Sequence, residues 1–206
     1  MIEVDEVARD GEEIANRGFI HAYNRIMTHQ AILALVSAIW VGLEIVVSIV
    51  TRGTSREDRG SYRVLWTLLI AGTVAGSMVK SLFRMPPELF WVGIALIAIG
   101  IVIRATAILT LRRYFTVRVT IQDSHDLIER GLYRWIRHPS YAGALVSFVG
   151  LGIAFGSWLS LAIILAAALI GMGYRIRIEE RALIGHFGDR YRDYAARTKR
   201  LIPGIY

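Results

Sequence analysis

Residues 131–143 join a basic, aromatic turn to a run without formal charge that lasts until Tyr174. The turn holds Gly131, Tyr133, Arg134, Trp135, Arg137 and His138. Pro139, Ser140, Tyr141 and Gly143 open the run, and Arg175, Glu179 and Glu180 follow it. Polar groups suited to an anionic, adenine-bearing cofactor therefore stand at both ends of a stretch that must lie in lipid. Tyr133 and Tyr141 can stack or hydrogen-bond. His138, with the backbone N–H groups at the start of the following helix, can bind an anion, aided by the helix dipole. Glu179 can accept hydrogen bonds from an ammonium or from ribose hydroxyls. Arg175 lies one turn before Glu179, so the two share a helix face. Its fork can hold a carboxylate without losing its own proton.

Each residue also has a plainer reading. Arg134 and Arg137 suit a positive-inside flank, His138 and Pro139 a helix start, and Glu179 and Glu180 the solvated beginning of a tail helix. Gly171 and Gly173 suit helix packing, as do Tyr191 and Tyr194. Order and joint spacing, rather than any single residue, favour the chemical reading.

The elements that must position these groups are membrane spans. The chain has 206 residues, 54% of them hydrophobic, and a mean hydropathy of +0.46. That is too apolar for a soluble domain of this size. Cysteine is absent, and the five histidines show no close ligand spacing, so no metal site is expected. Residues 1–13 are acidic where a secretory leader would be cationic. Three regions follow. Residues 1–29 form a polar or amphipathic segment. Residues 30–111 supply three transmembrane helices, within which Glu44 and Arg104 are intramembrane charges that tend to pair. Residues 112–206 form the chemical region. There, residues 116–121 read as extended or irregular. The 36 residues 139–174 lack charge and are too long for one ordinary span, so they predict a helical hairpin turning at about 155–158. Leu183, Ile184, Phe187, Tyr191 and Tyr194 then share one face of an amphipathic C-terminal helix that Gly188 can bend or break. The expected fold is all-α: an integral membrane protein of about five transmembrane helices, with spans 4 and 5 as the hairpin.

Eighteen Lys and Arg residues flank the spans on one side and five on the other, which makes the basic side cytoplasmic and the N-terminus external. Both chemical segments fall on the basic side. The same clustering makes nucleic acid an unneeded explanation of the +7 net charge.

The ordered series over residues 112–206 resembles the isoprenylcysteine carboxyl methyltransferase and phospholipid methyltransferase superfamily. It runs through His125, Leu127 and Ile128, then Gly131 and Tyr133, then Arg137, His138, Pro139, Tyr141 and Gly143. It continues with Arg175, Glu179, Glu180 and Leu183, and closes with Phe187, Gly188, Tyr191, Tyr194, Arg200 and Pro203. The resemblance implies S-adenosyl-L-methionine as cofactor and S-adenosyl-L-homocysteine as product. It implies cofactor contacts at Gln122, His125, Asp126, Leu127, Ile128, Tyr133, His138, Pro139, Ser140, Tyr141 and Glu179. It also implies that Arg175 orients a substrate carboxylate.

The expected activity is methyl transfer to a lipophilic or lipidated acceptor that enters from the bilayer among membrane lipids, first of all carboxyl O-methylation of an isoprenylcysteine-like substrate. N-methylation of a phospholipid amine is the alternative. An amine must lose a proton, and Glu180 can serve as that base. A non-enzymatic transporter or sensor would place its polar residues at mid-membrane rather than at the interface.

Overall fold

The computed structural model describes residues 24, 27–47, 49, 60–111 and 127–204. Two compact units divide at residues 42 and 43. The first contains most of helix α1, Met27–Val47, an apolar helix of 21 residues. The second begins with the last residues of α1 and holds α2 (Ser61–Met78), α3 (Leu89–Leu111), a 3-10 turn at Gly131–Arg134, α4 (Pro139–Ala154), α5 (Trp158–Phe187) and α6 (Asp189–Arg197).

Helices α1 to α5 occupy the places of the five expected spans. Among the described residues, α1, α3 and α5 are each long and apolar enough to cross a membrane, and α4 is a shorter apolar helix. The 16 residues of α4 extend about 24 Å, and the 30 residues of α5 about 45 Å. A bilayer core is about 30 Å thick. The end of α5 must therefore stand clear of the hydrocarbon, carrying Glu179 and Glu180 with it. Arg104 does not interrupt α3, which runs straight through it. Likewise α5 continues unbroken past Arg175, and the break falls at Gly188, whose φ of +56° is left-handed. The amphipathic tail is thus the end of α5 followed by a separate α6.

Packing in the second unit follows the order α2, α5, α4, α3: α2 lies along α5, α5 along α4, and α4 along α3. Glycines set the closest of these approaches. A Cβ on Gly143 would lie 2.6 Å from the backbone nitrogen of Arg104, and one on Gly150 would lie 2.6 Å from the carbonyl of Gly93. Backbones this close exclude side chains, and small residues let them meet. This seam brings Arg104 to the start of α4.

The α4–α5 hairpin turns at Phe155 and Gly156, where the sequence predicts it. The Ser157 hydroxyl accepts from Ser160 N at 3.2 Å and donates to Leu82 O at 2.6 Å. Met85 N donates to Gly156 O, and Trp158 N to Phe83 O. The turn before α3 is therefore laced to the hairpin, which leaves the opposite end of both helices to carry the chemical groups.

Candidate active site

Pro139 occupies the first turn of α4 and His138 its N-cap. Proline suits this position, because its missing N–H would have no intrahelical partner there. Helix α5 runs antiparallel from the hairpin turn, so Tyr141 comes level with Arg175 and Glu179. The Tyr141 hydroxyl donates to Glu179 Oε2 at 3.0 Å and accepts from Arg175 Nε at 3.2 Å. Arg175 is 1% exposed, and its Nη1 donates to Ser61 Oγ, at the start of α2, over 2.5 Å. Three helices thus converge on one guanidinium. The expected sharing of a face by Arg175 and Glu179 holds, with Tyr141 as the bridge between them.

Glu180 points elsewhere. Its Oε1 accepts from Arg137 Nε at 3.0 Å, and its Oε2 from Arg200 Nη2 at 2.8 Å and Arg200 Nε at 3.0 Å. His138 Nε2 lies 3.4 Å from Oε1 without a well-aligned hydrogen bond. Arg137 Nη1 donates further to Ala195 O at 2.8 Å and to Thr198 O. Backbone pairing completes the clamp. Arg137 N donates to Lys199 O, His138 N to Arg200 O, and Lys199 N to Trp135 O. The C-terminal segment is thus strapped along the turn that carries His138. This geometry speaks against Glu180 as a proton acceptor: both its oxygens are engaged by guanidinium groups that hold the ionised form.

On its other flank the α4 start is held by Arg104. Arg104 Nη1 donates to Ser140 Oγ at 2.7 Å and to Ser140 O at 3.2 Å. Its Nη2 donates to Glu44 Oε2 at 2.6 Å, and its Nε lies 2.5 Å from Glu44 Oε1. Glu44 belongs to the part of α1 that lies in the second unit. The two intramembrane charges therefore pair, and the pair is tied to the motif through Ser140.

Tyr133 is buried, and its carbonyl accepts from the Tyr194 hydroxyl at 2.7 Å. Burial, followed by the charge of Glu179, pushes the Tyr133 phenol up, so it remains neutral. Burial does the same to Tyr191 and Tyr194. Leu127 and Ile128 are half-buried just before the 3-10 turn. Gln122, His125, Asp126 and residues 116–121 lie outside the described residues.

Among the expected site residues the fold gathers His138, Pro139, Ser140, Tyr141, Arg175, Glu179 and Glu180. It adds Arg137 and Arg200, which the sequence offered as motif members without a role. It adds Arg104 and Glu44, signalled only as opposite charges in apolar runs. Ser61 carried no signal.

The fit to a polar cofactor rests on His138. It is 4% exposed, and apart from Glu180 Oε1 at 3.4 Å its buried Nε2 has no well-aligned hydrogen-bond partner among the described residues. A ligand group can complete the bonding of a buried polar atom in that state.

Comparison with known proteins shows what the chain is similar to. A profile of the isoprenylcysteine carboxyl methyltransferase (ICMT) family matches residues 91–185. The chain is 36% identical over 127 residues to the probable protein-S-isoprenylcysteine O-methyltransferase of Oryza sativa subsp. indica, covering 58% of this chain and 66% of that one. It is 30% identical over 176 residues to protein-S-isoprenylcysteine O-methyltransferase A of Arabidopsis thaliana, covering 79% of this chain and 86% of that one. Among solved structures, the eukaryotic intramembrane Ras methyltransferase ICMT matches with a TM-score of 0.55 and 29% identity, over 75% of this chain and 55% of that chain. The chain thus spans just under two thirds of the rice relative and about half of the solved enzyme.

Proposed function

Since this chain belongs to the isoprenylcysteine carboxyl methyltransferase family and is an integral membrane protein, we propose that it methylates the carboxylate of a lipophilic, isoprenylcysteine-like acceptor. S-adenosyl-L-methionine supplies the electrophilic methyl group when bound. The observation that carries this reading is the Arg175 guanidinium, buried where α5 leaves the bilayer and joined through Tyr141 to Glu179.

The residues divide the work. Glu179, with the start of α4 and His138, holds the cofactor's polar groups. Arg175 holds the acceptor carboxylate. No proton need be removed, because a carboxylate is already ionised at neutral pH. The contribution of the protein is then positioning and electrostatics in a site shielded from water. The acceptor's tail remains in lipid while its head reaches Arg175. The excess of basic residues on this side supports a cytoplasmic site and an external N-terminus.

An amine acceptor fits less well. It needs a free base, and the oxygens of Glu180 are engaged by Arg137 and Arg200. The test is to incubate the purified protein with methyl-labelled S-adenosyl-L-methionine and either a farnesylated cysteine carrying a free carboxylate or phosphatidylethanolamine. Alkali-labile label on the prenyl-cysteine is expected. Label only on the amine, stable to alkali, would overturn the carboxylate reading.

A further inference from the structure

We propose that Tyr191 is a further binding residue of this site, its hydroxyl holding a hydroxyl or amino group of the adenosyl cofactor. This rests on the methyl-transfer reading above. That hydroxyl is buried and has no hydrogen-bond partner among the described residues, and Tyr191 is 2% exposed. A phenol needed only for packing could be phenylalanine, since burying a hydroxyl with no partner is destabilising.

The fold anchors the helix that carries this hydroxyl beside the site. The Tyr194 hydroxyl anchors α6 to Tyr133 O at 2.7 Å. Arg137 anchors it again by donating to Ala195 O, while its Nε holds Glu180. Tyr191 stands one turn before these anchors on the same face, its ring edge-on to Tyr194 with centroids 5.9 Å apart. The negative charges of Glu180 and Glu179 reach its hydroxyl. A phenol can both donate and accept. With two carboxylates nearby, a ligand hydroxyl or amine suits this phenol better than another anion. Ribose hydroxyls, the 6-amino group of adenine and the α-amino group are the sources within the cofactor.

Tyr191→Phe removes one oxygen and keeps the ring. Calorimetry of the full chain in detergent, with S-adenosyl-L-homocysteine as the probe, should show binding weakened about three- to tenfold. The ligand-free variant should melt no lower than the wild type, because an unsatisfied buried hydroxyl has gone. 5′-Methylthioadenosine lacks the amino-acid part. If the loss persists with it, the contact is to the adenosine part; if the loss disappears, it is to the α-amino group. Unchanged affinity for S-adenosyl-L-homocysteine in Tyr191→Phe, or a lower melting temperature without ligand, would overturn the assignment and leave the methyl-transfer reading standing. Failure of the wild type itself to bind this probe would remove both.

Discussion

Glu179 and Glu180 are neighbours on one helix, yet they belong to two different regions of the molecule. Successive residues on α5 are rotated by about 100°, so the two carboxylates look in different directions. Glu180 faces Arg137 and Arg200 and ties the C-terminal strap to the turn that carries His138. Glu179 faces the Tyr141 hydroxyl, the one hydrogen-bond partner found for it among the described residues. A carboxylate with both oxygens on fixed cations serves the scaffold. A carboxylate held through one oxygen by a phenol keeps acceptor capacity for a ligand. The comparison teaches that the role of a charge in this site follows from how completely the fold satisfies it.

The sharpest way to test that division is through Arg175, on the ligand side. Arg175→Ala should lower turnover of a carboxylate acceptor by about 10²–10³-fold, the scale set by losing one preorganised electrostatic donor. Affinity for S-adenosyl-L-homocysteine should stay within about a few-fold, and Arg175→Lys should rescue little, because a point charge does not reproduce a fork. Steady-state kinetics alongside calorimetry reads both. Near-normal turnover of Arg175→Ala would take this residue out of the mechanism.

The two glutamates should then fail in opposite ways. Glu180→Gln leaves two partly buried guanidinium groups facing a neutral amide, and it should lower stability by about 1–3 kcal/mol, seen as a drop in melting temperature in detergent. Glu179→Ala should instead weaken S-adenosyl-L-homocysteine by about 1.5–3 kcal/mol with little change in melting. If Glu179→Ala melts early and Glu180→Gln binds poorly while remaining stable, the two regions have been assigned the wrong way round.

A smaller effect is expected on the other flank of α4. Arg104→Gln leaves Glu44 without its cation, and the Glu44→Gln, Arg104→Gln double variant should recover part of the lost stability. The coupling between the two should be about 1–2 kcal/mol. Additive losses would mean that the pair does not act as a unit. Smallest of all should be the effect of a cysteine placed at exposed Glu88 or Arg192, since the chain has none of its own. Each should leave activity intact. The first should label only from outside and the second only from the cytoplasm; the reverse would invert the orientation.

Much of this arrangement is legible in the residues themselves. The absence of charge over residues 139–174, with Gly156 inside it, foretells the α4–α5 hairpin, because lipid leaves a long apolar run few alternatives to helices. The hairpin in turn brings Tyr141 level with Arg175. Helix boundaries are less legible. Gly188 offers either a bend or a break, and its left-handed φ makes it a break, which gives Tyr191 and Tyr194 a helix of their own. The pairing of Glu44 with Arg104 across 60 residues leaves only the trace of two opposite charges in apolar runs. Arg200 gives no hint that it would reach back 20 residues to Glu180.

By itself, then, the sequence determined the all-helical membrane architecture, the hairpin and the order of the chemical motif. Those follow from hydropathy and from the fixed 3.6-residue period, which are local properties of the chain. Only the tertiary structure decided which carboxylate is held by cations and which meets a phenol, and which arginine secures α4 and which is joined to Glu179 through Tyr141. Hydrogen-bond partners are chosen by distance in space. That distance was set by the glycine seam between α3 and α4, by the antiparallel register of α4 and α5, and by the strap that folds Lys199 and Arg200 back along the turn.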